Sequence, residues 1–195
     1  MIQCYLEDIW AGRGFKPAIR YRWLSYQAIS PYAGLAVVAA EDQRFPEHRG
    51  FDFLAIRQAL RERAEGKSRR GASTISQQVV KNLYLWPDRS WLRKGLEAWF
   101  TLLLELSWPK QRILEVYLNI IQVDERTFGM EAASQRFFKK SARHISEQEA
   151  ALLAAVLPKP LSYRVQAPSV YVRERQGWIL KQMRQLGGVN YLKRL

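Results

Sequence analysis

Cysteine is almost missing from this chain: Cys4 is the only one in 195 residues, so no intrachain disulfide can form. The sequence therefore neither requires an oxidising compartment nor excludes one. Histidine is nearly as scarce, with only His48 and His144. No CxxC pair and no Cys/His cluster occurs, which argues against a structural zinc site. Long apolar runs are missing too. The longest, "GLAVVAA", "WFTLLLEL" and "AALLAAVL", fall far short of the roughly 20 residues that a membrane span needs. Glu7 and Asp8 interrupt the start, so no secretory leader pattern is evident. Strict apolar–polar alternation hardly occurs beyond the first 32 residues, and strand signals are sparse.

Acidic residues are also in short supply. Lys and Arg number 31 against 18 Asp and Glu, a net charge of +13. Such a surplus predicts an anionic partner: nucleic acid, an anionic membrane surface or a phosphate-bearing substrate. What is abundant is apolar and aromatic. A hydrophobic share of 48% excludes a disordered chain, and the length suits one domain over 1–195 with room for two lobes. Seven Trp, nine Tyr and eight Phe suit a core and a water–lipid boundary, where amphipathic rings do well.

Local signals predict a chain of helices. "GLAVVAA" reads as part of a buried helix over 33–43. A second opens at Asp52 and ends before Gly66. "GKSRRG" at 66–71 is a basic, glycine-bounded loop. Thr74 stands three residues before Gln77, a capping-box spacing, and a helix over 75–85 follows. Ser90 can cap a long helix over 91–107. "KQRILEVYLNII" carries an apolar stripe, residues 130–138 form a short helix, and Ser146 with Glu149 caps "AALLAAVL". A last amphipathic helix over 169–186 closes at Gly187 and Gly188. The fold class is mainly α, with a short hairpin expected near the N-terminus.

Chemistry-bearing residues cluster at four places. "EDQRFPEHRG" sets Glu41 and Asp42 at the end of a buried apolar helix. The negative end of a helix dipole is unfavourable for an acid, so a carboxylate there is a candidate proton acceptor near neutral pH. Neighbouring helical residues point about 100° apart, so the pair need not share a role. A solvated helix end is the plainer alternative. "RRGASTISQQVVKN" brings Gly71, Ser73, Thr74, Gln77, Gln78, Lys81 and Asn82 to a helix N-terminus, where free N–H groups favour anions. The phosphate-loop pattern G-x-x-x-x-G-K-[ST] is absent. "DRSWLRKGLEAW" places Arg89, Arg93 and Lys94 near Glu97, which reads either as a surface ion-pair face or as a pyrophosphate clamp. Glu115, Tyr117 and Asn119 in "ILEVYLN" suggest structural hydrogen bonding, and His48 suggests a strut.

In this order, "EDQRFPEHRG", "RGASTISQQVVKN", "RSWLRKGLE", "KQRILEVYLN" and "AALLAAVLPKP" resemble the five motifs of the family 51 glycosyltransferases, the peptidoglycan polymerases. The resemblance covers about residues 30–186, and no penicillin-binding transpeptidase segment follows. It implies a lysozyme-like fold with a head and a membrane-facing jaw. It implies lipid II and the growing glycan chain as substrates, with Glu41 as the base on the acceptor hydroxyl. Glu97 becomes the second family glutamate, assisting the leaving group or orienting the site. Lys81, Arg89, Arg93 and Lys94 match pyrophosphate-binding positions. Ser73, Thr74, Gln77, Gln78 and Asn82 match the donor motif. Asp42, Phe45 and His48 match supporting positions. No cofactor is obligatory, and a divalent cation, Mg or Mn, is admissible. The implied location is the outer face of a bacterial inner membrane, beside membrane lipid and other cell-wall synthesis and division proteins, with no nucleic acid. The family's N-terminal membrane helix is not among these residues.

One loop departs from the family pattern. "VDERTFG" places Asp124 and Arg126 where glycines are usual, and a side chain there is costly if φ is positive. Two other readings stand beside the polymerase. A lytic, lysozyme-like glycosidase would also use a helix-end glutamate, though it has no pyrophosphate to hold. A basic helical nucleic-acid module would use the net charge, though no recognition motif supports it.

Overall fold

Proline at the first helical position needs no N–H partner and already has its φ set, and the first α-helix opens this way at Pro31. The computed structural model describes residues 18–66, 71–87 and 90–195. Within it, α1 spans Pro31–Glu41, and Ala33 to Ala39 are all buried. Small side chains permit that depth. A Cβ at Gly34 would stand 3.3 Å from a Leu114 methyl and 3.4 Å from one of Leu192. Asp42 follows at φ −158°, ψ 73°, outside the helix that was expected to run to 43.

Seven further α-helices follow among the described residues: α2 Phe53–Ala64, α3 Ile75–Tyr84, α4 Trp91–Ser107, α5 Lys110–Ile120, α6 Met130–Phe138, α7 Glu147–Val156 and α8 Val170–Gln185. Their starts follow the predicted caps. Asp52 accepts the N–H groups of Leu54 and Ala55. Both expected capping boxes form, Thr74 with Gln77 and Ser146 with Glu149. Ser90 accepts the Arg93 N–H at 3.1 Å.

The architecture is mainly helical, as expected, and α1 is its hub. Helices α7 and α8 and the C-terminal 3-10 turn Gly188–Arg194 pack around α1, while α3 packs on α4 and α5. Helix α2 contributes no buried residue. Among the described residues no helix is long and apolar enough to cross a membrane.

Among the described residues the small sheet holds a hairpin that joins β2 (Gln122–Asp124) to β3 (Thr127–Phe128). The N-terminal strand β1 (Arg20–Tyr21) adds to β3 in parallel. The hairpin expected near the N-terminus falls largely on residues 1–17, which lie outside the described residues. The departing loop is the turn of this hairpin. Asp124 Oδ1 accepts the Arg126 N–H at 2.9 Å, a side-chain turn that stabilises the reversal without glycine. Neither Asp124 nor Arg126 has positive φ, so the feared strain does not arise. The Arg126 carbonyl accepts the Arg20 N–H at 2.8 Å. Glycine is required just beyond, at Gly129. Its φ is +82°, and a Cβ there would stand 2.5 Å from the Asn119 carbonyl oxygen.

Candidate active site

Glu41 ends α1 at the edge of a cleft of about 730 Å³. The walls come from α2 (Leu54, Gln58), from Gly71 to Thr74, from Gln78 on α3, and from Tyr171, Arg175 and Trp178 on α8. The volume lies within the usual range for small-molecule sites. Glu41 Oε2 accepts a hydrogen bond from Gln78 Nε2 at 3.0 Å. Its Oε1 lies 3.3 Å from Arg175 Nη2. Behind Gln78, the Tyr117 hydroxyl donates to Gln78 Oε1 at 3.0 Å. Tyr117 is fully buried, and burial, then the Glu41 and Asp42 carboxylates, push its phenol well above the ordinary value. It therefore stays a neutral donor. The chain Tyr117–Gln78–Glu41 fixes which end of the amide faces the carboxylate.

Asp42 has a different task. Its Oδ1 meets His48 Nε2 at 2.8 Å, and its Oδ2 accepts the Ile75 N–H at 2.9 Å. The carboxylate thus closes the N-terminus of α3, where anions are favoured. Thr74 donates to the Gly50 carbonyl at 2.6 Å and, with Gln77, is committed to capping. Phe45 is fully buried, with His48 edge-on and the Lys110 ammonium 4.4 Å above its ring. Lys110 bonds Glu105 at 2.7 Å, and Glu105 also accepts the Ser76 hydroxyl, which joins α3, α4 and α5. From the C-terminus, Tyr191 donates to the Gln43 carbonyl at 2.7 Å. The segment carrying Glu41 is therefore held from several sides.

A second cluster lies on α4. Glu97 is buried, with Arg93 Nη1 2.9 Å from Oε2 and Lys94 Nζ at Oε1. None of these three residues lines the 730 Å³ cleft. Lys81 and Asn82 are exposed at the far end of α3, beyond Gln78. The structure thus gathers two clusters, one around Glu41 and one around Glu97. Arg89 lies outside the described residues. Ser73 and Gly71 line the cleft and are exposed.

The family profile described as Transglycosylase matches residues 12–184. The chain belongs to the transglycosylase family. Proteins called biosynthetic peptidoglycan transglycosylase from Salmonella enteritidis PT4, Salmonella arizonae and Salmonella typhi are each 58% identical to it over 186 residues. Those matches cover 95% of this chain and 77% of each relative. As a transglycosylase, the chain is a glycosyltransferase, and its mainly helical structure agrees with the lysozyme-like fold of that family.

In the fourth motif, Asn119 and Glu115 make local bonds. Asn119 Oδ1 accepts the Leu24 N–H at 2.9 Å, and its Nδ2 donates to the carbonyls of Leu24 and Glu115. Glu115 pairs with Arg112. Among the described residues no group of three or more His, Cys, Asp or Glu could hold a metal ion. Both Glu97 oxygens are paired with cationic side chains, Arg93 at one and Lys94 at the other.

Sequence reading missed the α8 wall. Tyr171, Arg175 and Trp178 stand at i, i+4 and i+7, so their common face was legible, but not that it meets Glu41. An ion pair 134 residues apart leaves no local signal.

Proposed function

We propose that this transglycosylase polymerises lipid II into β-1,4-linked glycan, with inversion at the sugar and release of undecaprenyl pyrophosphate. The observation that carries the reading is Glu41, oriented in the cleft by Gln78 and Arg175 in a chain with named peptidoglycan transglycosylase relatives. Glu41 takes the proton of the acceptor 4-hydroxyl. The acceptor oxygen bonds to C1 of the donor sugar while the C1–O bond to pyrophosphate breaks. Negative charge then develops on the departing pyrophosphate, where preorganised cations are most effective. Arg93, Lys94 and Lys81 are the candidates, with Glu97 positioning the first two. No metal step is needed for this balance.

The apolar surface supports a membrane setting. On α4, Leu92, Trp99, Leu103 and Leu106 repeat at helical spacing, and they are 71%, 58%, 40% and 80% exposed. With the basic surplus, this stripe suits an anionic lipid surface on the outer face of the inner membrane, where other cell-wall proteins work. The hydrolase reading gains no support from Asp42, whose two oxygens are already engaged.

The test is lipid II polymerisation in detergent, with and without divalent metal, and with moenomycin as the inhibited control. Wild type is expected to make polymer, and Glu41→Gln is expected to lose at least about 100-fold, the low end for a general base. Full activity of Glu41→Gln would reject the base, and shortened finished glycan would favour hydrolysis.

A further inference from the structure

The α8 wall contains an aromatic feature that the proton and pyrophosphate chemistry does not use. Tyr171 lines the cleft and is 50% exposed. The ring of Tyr163 braces it, with centroids 5.3 Å apart and planes tilted by 38°. One turn further along α8, Arg175 reaches Glu41 at 3.3 Å, and Trp178 lines the cleft on the next turn. The three residues at i, i+4 and i+7 extend along roughly 10 Å of helix.

We propose that Tyr171, braced by Tyr163, is a saccharide-stacking platform that holds a pyranose ring of the glycan beside Glu41. The proposal rests on the transferase reading above and names the part of the substrate that this wall takes. A pyranose ring presents C–H groups on its faces and hydroxyls around its rim. Aromatic faces match the first, and the neighbouring Arg175 and Gln78 match the second. A lipid chain would want a continuous apolar wall, such as α4 offers, whereas the cleft that Tyr171 lines mixes apolar residues such as Leu54 and Pro158 with Arg175, Gln78 and Ser73. Pyrophosphate suits it poorly, because the face of an aromatic ring carries negative potential. Stacking also tolerates sliding, since no directional hydrogen bond breaks when one ring replaces the next. That suits a product that must advance through the cleft.

The experiment compares wild type, Tyr171→Ala, Tyr171→Phe and Glu41→Gln. Lipid II turnover gives KM and kcat, and saturation-transfer NMR reads binding of a lipid-free tetrasaccharide of alternating GlcNAc and MurNAc. Tyr171→Ala should raise KM about three- to ten-fold, the worth of one aromatic contact, with kcat little changed. It should also lose the tetrasaccharide signal. Tyr171→Phe keeps the ring and should stay near wild type, while Glu41→Gln should still bind the tetrasaccharide although it is inactive. An unchanged KM and an undiminished signal in Tyr171→Ala overturn the platform and leave the transferase reading intact. Loss of vesicle binding in place of tetrasaccharide binding overturns it in favour of a lipid contact. A wild type that makes no polymer overturns the transferase reading, and the tetrasaccharide signal then judges the platform alone.

Discussion

Glu41 and Asp42 are adjacent in sequence but face different partners, because the helix ends between them. Glu41 keeps the last helical position and meets the cleft, while Asp42 turns away to His48 and the Ile75 N–H. Tyr117 acts on Glu41 only through Gln78. Tyr117→Phe should therefore free the amide to turn and lower kcat about two- to ten-fold, the worth of one hydrogen bond. Steady-state polymerisation kinetics check this. The same phenol has a pH signature. Its folded pKa lies well above the ordinary phenol value of 10.0, so the stability it contributes is complete below pH 10 and declines as pH rises further. Urea midpoints at pH 8 and pH 10.5 should fall more steeply for wild type than for Tyr117→Phe. Some slope should remain, because burial also raises Tyr26 and Tyr191.

At the level of elements, α3 holds one wall of the site. Its first turns deliver Gln78 to the cleft, and its last turn carries the exposed Lys81 and Asn82. Its position depends on caps at its first turn. Thr74→Ala removes the Gln77 N–H acceptor and the bond to Gly50, and should cost about 1–2 kcal/mol in chemical unfolding. The turn between α5 and α6 depends on Gly129 and Asn119. Gly129→Ala forces a Cβ onto the Asn119 carbonyl at positive φ, so it should destabilise by more than about 1 kcal/mol. An unchanged melting temperature would sink that account. Asp124→Gly should have little effect on activity, because none of the hairpin turn lines the cleft.

Across the whole molecule, net charge and exposed apolar surface should act together. A chain of +13 with an uncovered stripe on α4 should sediment with anionic vesicles at low salt. Binding should weaken as salt rises and the Debye length falls from about 30 Å at 0.01 M to about 10 Å at 0.1 M. Trp99→Glu should reduce binding at every salt concentration, since it places a charge in the apolar stripe. No binding at low salt would remove the membrane role assigned to α4.

What the sequence determined by itself was local. The capping boxes at Thr74 and Ser146 and the helix over 91–107 were all legible, because such signals act over a few residues through hydrogen bonds to the nearest backbone, whereas the stop after Glu41 was not. The ordered motifs made the family legible as well. Only the tertiary structure decided which polar groups meet. It brought Arg175 to Glu41 across 134 residues, set Tyr117 behind Gln78, and put the Glu97 cluster outside the Glu41 cleft. It also set a hairpin at residues 122–128, with β1 added in parallel. Helix periodicity shows which residues share a face. The partner of that face is set by packing around α1, which depends on the whole chain at once.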